Sequence, residues 1–172
     1  MTADELAKAV GAEAARELAS AVERIKHCLD QLTVDQVWSR SDRAMNSVGN
    51  LLLHLCGNVR QWIISGVGGA EDVRNRPAEF AERGPLPKED LLRRLDSVVG
   101  EARAVLESLT AQQLTATRRI QGFATNALAA IFNSVPHFRG HTQEIIHMTR
   151  ALVGDAYRFA WAPATPEEGA PA

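Results

Sequence analysis

The segment over residues 46–65, NSVGNLLLHLCGNVRQWIIS, constrains the fold more than any other stretch of the chain. Leu51, Leu52, Leu53, Leu55, Val59, Trp62, Ile63 and Ile64 surround most of a helix built on it. A helix that is apolar on nearly all sides is a buried one. Its longest apolar run is far short of the ~20 residues that span a bilayer. It therefore belongs inside a protein core. Yet Ser47, Asn50, His54, Asn58 and Gln61 recur three or four apart and form one polar stripe along it. Buried polar groups need partners, so the stripe must face another polar group, a ligand or ordered water. Taken by itself, His54 reads most simply as a hydrogen-bonded core histidine flanked by capping asparagines.

The material that buries this helix is also helical. Residues 3–32 repeat apolar positions at helical spacing (Leu6, Val10, Ala14, Leu18, Val22, Ile25, Leu29). Residues 33–45 are polar and aperiodic and read as a connection. Asn46 or Ser47 can cap the second helix, which Gly66, Gly68 and Gly69 end. Residues 67–87 form a long connection rich in Gly, Pro and charge, in which AEFAER can make a helical turn. Pro87 then opens a third helix, with Glu89 and Asp90 in its first turn and apolar positions from Leu91 to Leu106. Residues 110–124 read as another connection with a turn at Gly122. Thr125 is the expected cap of a fourth helix reaching about Val153. Pro136 inside it removes a backbone donor and is expected to kink the helix or split it before His137. No alternating stretch is long enough for a sheet. The expected fold is all-α: a four-helix bundle with long connecting loops. It forms one domain over residues 1–162, followed by a Pro/Ala/Glu-rich tail, 163–172, expected to be disordered.

Charge and composition narrow the partners. The chain has 172 residues and a net charge of -2, with no long run of Lys or Arg. That argues against nucleic acid or an anionic membrane as the main partner. The start, MTADELAKAV, lacks a signal pattern. Cys28 and Cys56 lack CxxC spacing and are expected as free thiols in a reducing cytoplasm, the default location. Cys56 lies two residues from His54, about 200° around the helix, and reads as a core thiol, not a ligand.

The fourth helix offers the stripe a partner. His137 and His141, in HFRGH, stand one turn apart and can bind one ion. Asn133, Glu144 and Met148 extend the same stripe. Phe138 occupies the place of the acid in HExxH, so the zinc-protease general base is absent. His147 projects about 120° away from His141, and His27 lies on the first helix; both read as non-ligating. Spacing alone leaves a three-histidine site and unrelated histidines equally open.

SVGNLLLHLCGNVRQWI and HFRGHTQEIIHMTR, with KHCLDQL, RNRPAEFAERGPLP and RRIQGF between and around them, resemble the DinB-like superfamily over about residues 20–160. The resemblance implies a four-helix bundle of DinB-like type, often a homodimer. It implies a site for zinc, nickel or a similar divalent metal on His54, His137 and His141. Relatives of this type include transferases using low-molecular-weight thiols such as bacillithiol or mycothiol, and proteins assigned as metal-dependent hydrolases. Where the family pattern carries Gln three residues after the second His, this chain has Glu144, with Gln143 one place earlier. Glu144 is thus a candidate catalytic base, a fourth ligand, a carboxylate orienting a histidine, or a solvated residue at the bundle rim. Asn50, Asn58 and Arg60 are candidates to orient a small-molecule substrate; helix bridging and surface pairing are the plainer accounts. Arg74 and Arg76 could meet an anionic substrate, with loop solvation as the simpler reading. Thiol transfer leads by resemblance and hydrolysis follows. A non-catalytic, metal-stabilised dimeric binding module is the alternative from a different class.

Overall fold

Four long helices carry the computed structural model, which describes residues 1–161. They are α1 (Ala3–Gln31), α3 (Val48–Val59), α5 (Lys88–Glu107) and α7 (Ala127–Val153). Three short helices sit in the connections: α2 (Val34–Trp38), α4 (Arg76–Ala81) and α6 (Ala111–Thr115). The tail expected over residues 163–172 lies outside the described residues. No helix among the described residues is long and apolar enough to cross a membrane.

α1 and α3 stand at opposite corners of the bundle, each packed against both α5 and α7. Thr2 and Glu5 start α1 with a capping box. Leu18, Ile25 and Leu29 of α1, Leu95 and Leu106 of α5, and Phe138 and Ile145 of α7 are almost free of solvent. Each such side chain contributes about 1.5–3 kcal/mol on burial, so this apolar interior holds the fold. Gly11 permits the closest approach, since a Cβ there would overlap the Leu106 carbonyl.

α3 begins at Ser47, whose hydroxyl accepts from the Asn50 backbone N–H. The helix does not end at Val59. It continues in π-helical form over Arg60–Val67, a rare geometry often found at functional sites. It therefore passes through Gly66 and stops only at Gly68, before φ turns positive at Gly69. The polar stretch expected as a plain connection contains α2, started by a Thr33–Gln36 capping box.

Two expectations are overturned between α5 and α7. Residues 110–124, read as a simple connection, hold α6 and part of an antiparallel hairpin of β1 (Thr117–Ile120) and β2 (Phe123–Asn126). Gln121 and Gly122 link the strands with φ of 51° and 82°; positive φ at both positions is what a type I′ turn requires. Four-residue strands are too short to display alternation, and in β1 only Ile120 is buried, against Gly66. Thr125 lies within β2 opposite Arg118, and Asn126 caps α7 by accepting from the Ala129 N–H. α7 is not split at Pro136. The carbonyl deprived of a donor there belongs to Phe132, which is exposed, so water can serve it.

Candidate metal centre

Because α3 and α7 are neighbours, the stripe on one faces the stripe on the other. One nitrogen from each of His54, His137 and His141 lies within 4.8 Å of the other two. His54 Nε2 and His137 Nε2 are 3.0 Å apart. Two ring nitrogens this close either share a proton or converge on one cation. His54 is buried, while His137 and His141 are half-buried, so the cluster opens to one side.

Two carboxylates set the ring orientations. Glu79 Oε2 lies 3.0 Å from His54 Nδ1, and Glu144 Oε2 lies 2.7 Å from His141 Nδ1. Arg74 Nη2 also lies 3.1 Å from His54 Nδ1 but is closer to Glu79 Oε2, at 2.9 Å. Where it donates to that carboxylate and each Nδ1–H donates to its own, each Nε2 keeps its lone pair for the cluster. Glu144 reaches His141 because it follows by three residues on the same helix. Glu79 arrives from α4, a helix started by the Asn75 cap with Pro77 in its first turn.

Glu79 is itself held by Arg74. Arg74 Nε is 2.7 Å from Oε1, and its Nη2 is 2.9 Å from Oε2. A third contact runs from Arg74 Nη1 to Gln61 Oε1 at 2.9 Å. The Arg74 side chain is only 2% exposed, which corrects the reading of this residue as loop-solvated. Burial works against charge on Glu79, but the hydrogen bonds from Arg74 and His54 outweigh it and hold the carboxyl below its ordinary range. Gly57 makes the room, since a Cβ there would overlap the Glu79 carboxylate.

Burial, then the charges of His141, His54, Arg74 and Arg76, push His137 down to about 4. It is therefore deprotonated at neutral pH, as a ligand must be. The stability consequence has a definite sign. Above an unfolded pKa near 6.5, His137 is neutral in both states and its contribution is intact. As pH falls from there toward about 4, the unfolded chain takes up a proton that the folded chain refuses, and stability is lost. Melts of metal-free protein between pH 7 and pH 4.5 should show a falling Tm, with a shallower fall in His137→Gln.

The remaining sequence candidates separate. Asn50 is buried and committed to structure: Nδ2 donates to the Glu79 and Glu82 carbonyls at 2.9 and 3.0 Å, and Oδ1 accepts from Ser47 and Arg40. It ties α4 onto α3. Asn58 accepts from the Ser134 hydroxyl at 2.9 Å and also borders an open cleft. Arg60 pairs with Glu101 of α5 at 2.9 Å and lies in a separate hollow beside Cys56 and Arg94. Cys56 is half-buried as a residue, yet desolvation pushes its thiol up to about 12. His27 Nε2 sits 2.6 Å from the Arg158 carbonyl, and His147 is exposed; neither joins the cluster. Glu79 is the site residue that the sequence reading did not select. Its signal was an acid inside the one helical turn of an unusually long connection.

The cleft has a volume of 560 Å³ and is lined by His54 and His137 together with Asn58, Trp62, Arg76 and Phe123 among others. The π-helical segment supplies Trp62, and the hairpin supplies Phe123.

Three histidines meet between two helices of the bundle, the placement that the resemblance to DinB-like proteins implied. A family model described as "Protein of unknown function (DUF1572)" matches residues 7–164, and the chain belongs to that family. Solved structures show the same fold. A conserved protein from Enterococcus faecalis is similar at 17% identity and a TM-score of 0.70, covering 83% of this chain and 96% of that one. A DinB-like protein from Bacillus subtilis is similar at 15% identity and a TM-score of 0.64, covering 86% and 96%. Another from Bacillus cereus is similar at 17% identity and a TM-score of 0.59, covering 77% and 85%. No curated protein matches the sequence.

Proposed function

We propose that His54, His137 and His141 hold a divalent metal, and that this centre serves a reaction on a small molecule in the adjoining cleft. The convergence of the three ring nitrogens, two of them aimed by carboxylates, carries the proposal. The donor set fits such an ion. Imidazole nitrogen suits zinc or nickel, and three protein ligands is the count of catalytic zinc sites, whereas structural sites use four. When bound, the ion supplies Lewis acidity and lowers the pKa of a water or thiol that shares it.

The chain's own residues do the rest. Glu79 and Glu144 hold two imidazoles in the ligating tautomer, and Arg74 balances the buried charge of Glu79. Transfer of a low-molecular-weight thiol, of bacillithiol or mycothiol type, is the leading reaction. The raised Cys56 thiol is no nucleophile at neutral pH, so the sulfur comes from a cosubstrate. Hydrolysis ranks second because Glu144, the candidate base, is engaged with His141.

Elemental analysis of purified protein tests the centre. Zinc or nickel should be present near one ion per chain, and a chelator should remove it. The apolar interior is complete without the ion, so the metal-free chain should stay folded and melt cooperatively, at a Tm lowered by the binding free energy that is lost. A chain that takes up neither ion on titration would overturn the proposal. Turnover with an electrophile and a thiol panel then separates transfer from hydrolysis.

A further inference from the structure

Arg74 and Arg76 stand two residues apart and meet different fates. Arg74 is buried and its charge is matched by Glu79. Arg76 is exposed at the start of α4 and borders the cleft. Its guanidinium lies over the Phe80 ring, 4.9 Å from the centroid, and the other side of the contact chain is Phe80 against His54, also at 4.9 Å between centroids. Stacking positions the group, yet among the described residues no carboxylate pairs with it. Among the described residues, none of those that line the cleft is Asp or Glu.

Hydrogen-bond donors and apolar surface complete the cleft. Asn58 spends its carbonyl oxygen on Ser134, which leaves its amide N–H groups for the cleft. Phe123 is 65% exposed at the hairpin end of the same cleft, facing a space that Trp62 also lines. A volume of 560 Å³ falls within the range of small-molecule sites.

We propose that the cleft binds a small organic anion. Arg76 takes its carboxylate or similar head, and Trp62 and Phe123 take its apolar body. A positioned, unpaired guanidinium in a wall without acids is a ready partner for such a head, because its planar fork matches a carboxylate bidentately. The inference names the substrate class for the reading above and rests on it in placing the reactive end at the histidines.

Benzoate and its neutral isostere benzamide test it, titrated by calorimetry into zinc-loaded full-length protein. Benzoate should bind about 10-fold more tightly than benzamide. Arg76→Gln should remove that advantage while zinc content and Tm stay unchanged, and Arg76→Lys should restore part of it. Equal binding of the two probes, or full benzoate affinity in Arg76→Gln, would overturn the inference; the latter would mean that the ion alone holds the carboxylate. The two readings fail separately. If zinc does not bind and benzoate still binds in an Arg76-dependent way, the anion site stands and the metal centre falls. If zinc binds at the histidines and benzoate gains nothing from Arg76, the reverse holds.

Discussion

Glu79→Ala should destabilise the metal-free protein by about 3–5 kcal/mol, the cost of breaking one side of a buried ion pair. Arg74 is 2% exposed and spends two of its nitrogens on this carboxylate. Without Glu79 it keeps a full charge with little water to solvate it. His54 loses its Nδ1 acceptor in the same step. For a chain of this size, such a loss corresponds to a Tm drop of roughly 6–20 °C. Chemical denaturation gives the free energy directly. Removing both charges in Glu79→Ala/Arg74→Leu should recover part of the loss, because no uncompensated ion remains. Gly57→Ala offers an independent route to the same lesion, since its Cβ would displace the Glu79 carboxylate from Arg74. If Glu79→Ala cost under about 1 kcal/mol, the ordinary range for exposed pairs, the buried pair would have no special role.

The same pair marks where sequence reading stopped. His54 was visible because a polar stripe on an otherwise apolar helix demands partners, and the buried Ser47, Asn50 and Asn58 have them. His137 and His141 were visible because one helical turn separates them. Glu79 obeys no such period. It meets His54 across 25 residues of sequence, from a short helix whose placement depends on tertiary contacts with Asn50 and Arg74. Arg74 looked solvated for a related reason: a loop arginine is usually exposed, and only its fold context buries it. The hairpin was hidden by length. TRRI and FATN are short and mostly exposed, so only Gln121-Gly122 carried a signal, and it was read as a turn without strands. For Arg60 the sequence leaves two accounts open, substrate orientation and surface pairing, and the structure shows the pair. Arg60 lies six residues from His54, yet at that point the chain faces α5, and Glu101 takes it.

His54→Ala and His137→Ala should each weaken zinc binding by roughly 60- to 700-fold. A four-ligand zinc site gives about 10–16 kcal/mol, or about 2.5–4 kcal/mol per ligand if shared equally, and every 1.4 kcal/mol is tenfold. Competition against a chromophoric chelator measures this. Glu144→Gln retains all three ligands and alters only the acceptor at His141 Nδ1, so it should cost about 10–100-fold. Glu79→Gln should fall in the same range by loosening His54. His27→Ala and His147→Ala should change nothing, since neither ring enters the cluster. The ordering matters more than any single value. Ligand loss must exceed loss of an orienting carboxylate, and both must exceed loss of a remote histidine. If His147→Ala weakened zinc as much as His137→Ala, the ion would be bound elsewhere, and the converging nitrogens would be only a hydrogen-bonded pair with a neighbour. If Glu144→Gln abolished binding outright, Glu144 would be a ligand, and its bond to His141 Nδ1 a feature of the metal-free state alone.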